Sequence, residues 1–205
     1  MKQLNKRQST HHGLCGFYQK FKKDHQGVAA IEFALIAPVM IAMYLGLSEV
    51  SMLVSADRVV SHTASVVADL ATQEESMDSD DIENIFNAAV QVMGVNYTKA
   101  LRINMDIISF EVDNNNVVQE VGYAKLGSGF GGKFDPAGLS STLLNQTSGI
   151  VVTRISYQYH SPSGVFVKNP TLTETFMLKP RKSKSIPFTN TPINCTVGAG
   201  PTVTC

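Results

Sequence analysis

The run Gly127-Ser128-Gly129-Phe130-Gly131-Gly132-Lys133-Phe134 satisfies two phosphate-binding patterns at once. Gly127, Gly129 and Gly132 fit G-x-G-x-x-G, while Gly127, Gly132 and Lys133 fit G-x-x-x-x-G-K. A phosphate loop also needs a Ser or Thr after the lysine to hold magnesium, and a helix N-terminus to receive the phosphates. Phe134 stands in the first position and Pro136 breaks the chain soon after, so a nucleotide-using enzyme is set aside and a flexible glycine loop is expected. Metal chemistry fares no better. Cys15, Cys195 and Cys205 form no C-x-x-C pair, and His11, His12, His25, His62 and His160 are scattered without ligand spacing. The basic run Lys179, Arg181, Lys182 and Lys184 contains Pro180 and lacks interleaved aromatics, which reads as a solvated edge rather than a nucleic-acid or lipid patch. The three sequon matches at Asn96, Asn145 and Asn194 are taken as chance in a Thr- and Asn-rich chain. No catalytic residue, cofactor or metal is expected.

One residue type stands out by position instead. In His25-Gln26-Gly27-Val28-Ala29-Ala30-Ile31-Glu32-Phe33-Ala34-Leu35-Ile36-Ala37-Pro38-Val39, a single carboxylate sits in an otherwise apolar run. A charge at the centre of a bilayer costs at least about 2.5–3.5 kcal/mol, so Glu32 marks a functional position that needs a partner. A blander role for it is an interfacial glutamate favoured by the positive end of the helix macrodipole.

The surrounding elements give the run its setting. Lys2, Lys6, Arg7, Lys20, Lys22 and Lys23 precede Gly27 against the one acid Asp24, although the whole chain is formally neutral. Between Val28 and Val54 the charged residues are Glu32 and Glu49, and Phe33 to Leu47 widens to a spanning length of roughly 20 residues. A basic arm before a span keeps to the cytoplasm and sends the remainder across. Val59, Val60, Thr63, Val66, Val67 and Leu70 then continue a helical stripe, so one helix is expected from about Val28 to about Ala71. Ile82, Ile85, Phe86, Ala89, Val90 and Met93 predict a second helix, capped by Asp80 with Glu83 and stopped by Gly94. Beyond it the period falls to two. Leu101 to Ile107 and Val117 to Tyr123 predict a hairpin around the turn Asp113 to Asn116, and two further strands lie in "IVVTRISYQYH" and "TLTETFMLK". Cys195 and Cys205 enclose a Gly- and Pro-bearing turn on the oxidising side, where a disulfide is expected.

The basic leader ending in Gly27, followed by an apolar helix whose fifth residue is Glu32, resembles the prepilin peptidase site of type IV pilin-like proteins. The form "GVAAIEFALIAPV", with Glu32-Phe33 and then Pro38, is similar to the TadE/TadF minor pseudopilins of tight-adherence (Tad/Flp) pili. The stretches "VVTRISYQYHSP" and "TFMLKPR" are similar to late strands of that family, and no D-x-S-x-S site of the larger TadG proteins is present. The resemblance implies cleavage after Gly27, a new N-terminus at Val28, and assembly through Glu32, Phe33 and Pro38. Its partners would be prepilin peptidase, other pilins and pseudopilins, the inner-membrane assembly platform and the lipid bilayer, with no nucleic acid.

The expected fold is α+β: a long N-terminal helix packed on a domain with a second helix and an antiparallel sheet of about four strands. The expected segments are a cytoplasmic leader (1–27), a transmembrane helix (28–54), its periplasmic continuation (55–75), an α+β domain (76–190) and a Cys-containing tail (191–205). The expected function is that of a non-enzymatic minor pseudopilin in Tad pilus assembly or priming, held in the inner membrane or passed to the fibre or its tip. The alternative is an uncleaved, signal-anchored periplasmic binding or scaffold protein.

Overall fold

A computed structural model describes residues 27–94, 102–113, 115, 117–130, 132, 134–138, 149–198 and 202–205. The basic arm with Cys15, the sequons at Asn96 and Asn145, and Gly131 and Lys133 of the glycine run lie outside the described residues. The chain divides into two compact units, residues 1–47 and residues 48–205.

The first unit contributes the opening of helix α1 (Gly27–Ala71). An 18-residue window of α1 has a mean hydropathy of 2.2 and none of it is buried, which is compatible with a single-pass membrane anchor. Pro38 lies inside this helix, where its missing N–H leaves the Ala34 carbonyl without its usual intrahelical donor.

In the second unit the rest of α1 joins a core with helix α2 (Ser79–Met93) and one face of a sheet. The buried side of α1 is Ala56, Val60, Thr63, Ala64, Val67, Ala68 and Ala71. Val59, Val66 and Leu70, expected on the buried stripe, are only half-buried, and alanines take their places. Small side chains let a helix approach its neighbours closely, an advantage that a reading by hydrophobicity alone undervalues. Helix α2 buries Ile82, Ile85, Phe86, Ala89, Val90 and Met93. Its capping box lies two residues earlier than expected. Asp78 accepts from the Asp81 N–H at 2.9 Å and Asp81 accepts from the Asp78 N–H at 3.1 Å, because the first helical residue is Ser79 and its cap must precede it. Gly94 closes the helix at a φ of 76°.

The sheet has six strands rather than about four: β1 (Ile103–Val112), β2 (Val118–Leu126), β3 (Ile150–Gln158), β4 (Thr171–Leu178), β5 (Ile193–Val197) and β6 (Val203–Thr204). Their order is β4-β3-β1-β2-β5-β6, and it is mixed rather than wholly antiparallel because β5 runs parallel to β2. Parallel pairing needs a crossover, and the segment between β4 and β5 brings the chain from the β4 edge back across the sheet to the far side of β2. On the way it buries Ile186 and Phe188 and bridges Met77. Alternation along β1 and β3 sends Met105, Ile107, Val151 and Ile155 toward the helices, and Ile108, Phe110, Ile150 and Val152 into a smaller cluster on the opposite face.

Candidate functional site

The residues expected to carry processing and assembly sit at the start of α1. Gly27 is its first residue, and a β-carbon placed there would meet no described atom within 4 Å. Folding therefore sets no requirement for glycine at this position among the described residues. Val28, Glu32, Phe33 and Pro38 are all exposed, with Phe33 at 73%, so the described residues of the first unit present an apolar surface around one carboxylate.

Glu49 behaves in the opposite way. It is 4% exposed, although it lies only two residues beyond the apolar stretch that ends at Leu47. Its Oε2 accepts from the backbone N–H of Val167 at 3.0 Å and of Phe166 at 3.2 Å, and its Oε1 accepts from the Ser163 hydroxyl. A carboxylate with three donors is well satisfied, so Glu49 clamps the β3–β4 loop to α1. In the sequence it appears only as the second charge in a hydrophobic stretch. Its donors are two backbone amides and a serine that lie more than a hundred residues away, and no local pattern announces them.

The glycine run covers a different site. Asp106 on β1 faces Arg154 on β3 across the ladder and Lys125 on β2 on its other side. Arg154 Nη2 donates to Asp106 Oδ2 at 2.5 Å and to the Gly132 carbonyl at 3.1 Å. The guanidinium lies 4.3 Å from the centroid of the Phe130 ring and 5.9 Å from that of Phe134, a cation–π arrangement. Burial pushes the Asp106 carboxyl above its ordinary range, against the opposing pull of Arg154, Lys125 and the Phe130 N–H. Phe130, Gly132 and Phe134 of the run thus contact the Arg154 guanidinium of an ion pair, where the sequence suggested a flexible loop. Gly127 and Gly129 adopt φ of 76° and 70°, and a β-carbon on Gly127 would come within 2.8 Å of the Ile103 carbonyl oxygen. These glycines meet backbone requirements of the loop.

Elsewhere, two members of the basic run are paired, Arg181 with Asp69 and Lys184 with Glu111 at 3.0 Å. Cys195 and Cys205 are joined by a disulfide. The tail does not lie beyond the last strand, because β5 and β6 complete the sheet. Asn87 of α2 holds β6 from both sides: the Val203 N–H donates to Asn87 Oδ1 at 2.7 Å, and Asn87 Nδ2 donates to the Val203 carbonyl at 3.4 Å.

Residues 27–69 match the family model described as TadE-like protein. No characterised protein and no solved structure among those compared matches the chain. The match begins at the glycine that opens α1 and covers both the exposed apolar stretch and most of the buried stripe. The chain thus carries a TadE-like segment at residues 27–69, which supports a TadE-type protein of the Tad pilus system.

Proposed function

We propose that this protein is a minor pseudopilin that takes part in assembly or priming of a Tad pilus and is processed by prepilin peptidase after Gly27. Its N-terminus lies in the cytoplasm, α1 crosses the inner membrane, and the α+β unit stands in the periplasm. Its role is structural rather than catalytic. Other pilins and pseudopilins and the inner-membrane platform are its partners.

The observation that carries this reading is the unburied apolar opening of α1 with Glu32 in it, beginning at a glycine that no contact among the described residues requires. Cleavage there creates a protonated amine on Val28. Glu32 can pair with that amine on a neighbouring subunit, so that a charge otherwise costly in lipid becomes an assembly signal. Phe33 and Pro38 belong to the same surface, and Pro38 weakens the helix where a subunit leaves the bilayer.

The test is the mature N-terminus. In cells with active prepilin peptidase, mass spectrometry should find Val28 first. Gly27→Leu should keep the leader while the second unit keeps its thermal stability. Full-length protein in wild-type cells would instead favour the uncleaved, signal-anchored scaffold.

A further inference from the structure

The β3–β4 loop ends in an apolar tip. Val165 is 73% exposed and Phe166 is 49% exposed, while Lys168 beside them is also exposed. The tip is held in shape from within. Gly164 donates to Ser161 Oγ at 3.2 Å, Val165 donates to Ser163 Oγ at 3.2 Å, and the Ser161 N–H donates to Asn169 Oδ1 at 3.0 Å. Val167, between the tip and Lys168, packs against the core. The chain therefore fixes two apolar side chains outward on a braced loop, at an entropic cost that solvent exposure does not repay.

The height of this loop is set by Glu49. A helix needs about 20 residues to cross the hydrocarbon of a bilayer, so a span opening at Val28 is complete near Leu47, short of the Val54 bound expected from the sequence, and this places Glu49 at the headgroup level. Tyr44, 73% exposed on the same helix, is the kind of residue found at that boundary. Because Glu49 grips the backbone of Phe166 and Val167 directly, the tip is tied to the same level.

We propose that the β3–β4 tip is a lipid-docking element: Val165 and Phe166 enter the interface of the bilayer that α1 crosses, and Lys168 meets its anionic headgroups. The contact gives the second unit a fixed attachment to the membrane besides its helix. The inference rests on the membrane-spanning reading of α1, and its test separates the two.

The sequence contains no tryptophan, so a single introduced Trp reports its own surroundings. Full-length Phe166→Trp, Val117→Trp and Leu35→Trp variants would be reconstituted in phosphatidylethanolamine–phosphatidylglycerol vesicles containing brominated lipid. Val117 is 53% exposed beside the β1–β2 turn, at the end of the sheet opposite the β3–β4 loop, and Leu35 is 71% exposed in the apolar stretch. Emission from Trp at 166 should shift to the blue and be strongly quenched by lipids brominated near the headgroup. Trp at 117 should stay red and unquenched, and Trp at 35 should be quenched by deep bromines. Adding Glu49→Ala to Phe166→Trp should abolish most of the quenching at 166. Quenching at 35 with none at 166 overturns the docking element alone, and no quenching at either position overturns the spanning helix with it. A blue shift at 166 without bromine quenching makes the tip a protein contact and also overturns the proposal.

Discussion

Glu32 and Glu49 occupy the same helix and are the two acids of its apolar first half, yet the fold treats them oppositely. Glu49 is buried and accepts three hydrogen bonds from its own chain. Glu32 is exposed on a surface that the described residues do not cover. A carboxylate satisfied internally is part of the fold, whereas one left on an apolar surface is available to another molecule. Asp106 and Glu111 extend the comparison within the second unit, the first buried against Arg154 and the second partly exposed beside Lys184 and Ser185.

The largest effect should come from Glu32→Ala, and it should not be an effect on folding. Pull-down of partner pilins should be lost while the thermal melt of the second unit stays unchanged. Normal association would end the pairing mechanism, and a lowered melting temperature would erase the contrast with Glu49.

Asp106→Ala should be the most damaging to stability, by about 3 kcal/mol, because it leaves the Arg154 guanidinium buried without a counter-charge. Denaturant unfolding in detergent measures it, and a loss no larger than that of a surface substitution would show that the pair is incidental. Replacing Arg154 with Met in the same background should recover part of the loss, since both charges are then gone.

Glu49→Ala should cost about 2 kcal/mol, less than Asp106→Ala because water can reach the exposed Ser163 and Phe166 once the carboxylate is removed. Proteolysis should then cut first between residues 161 and 169. An uncut loop would mean that its own turn bonds suffice and that Glu49 is no clamp.

The smallest effect belongs to Glu111→Gln, under about 1 kcal/mol at neutral pH because the group is surface-exposed. Its pH dependence is more informative. The hydrogen bond from Ser185, then that from Lys184, holds the Glu111 carboxyl below its ordinary 4.5. The stability it contributes is present above 4.5 and lost as pH falls through the lower folded value. Glu111→Gln should therefore flatten the acid limb of the stability curve. Asp106 acts in the other direction. Burial raises its carboxyl above 3.8, so its own titration favours the folded state on the acid side and that advantage disappears as pH rises through the folded value.

What could be read from the sequence was what repeats or is local. The apolar span, the helical period through Ala71, the second helix with its Gly94 stop, and the alternating strands through Leu178 all follow from side-chain periodicity, which depends only on neighbours in the chain. The signature around Gly27, Glu32, Phe33 and Pro38 is equally local, and it carried the TadE-type reading that the match over 27–69 supports. Tertiary structure decided the rest, because it depends on which distant groups meet. Strand β6 has too few residues to show a period, and the five-residue alternation of β5 does not say where it pairs; β5 is placed by pairing with β2, and β6 by pairing with β5 and by the grip of Asn87. The glycine run looked like a loop for phosphate or for flexibility until Asp106 and Arg154 were brought together beneath it by strand register. Glu49 shows the limit most clearly: its residue type and its place in the helix were visible from the start, but the donors that make it a clamp exist only once the β3–β4 loop has folded back to α1.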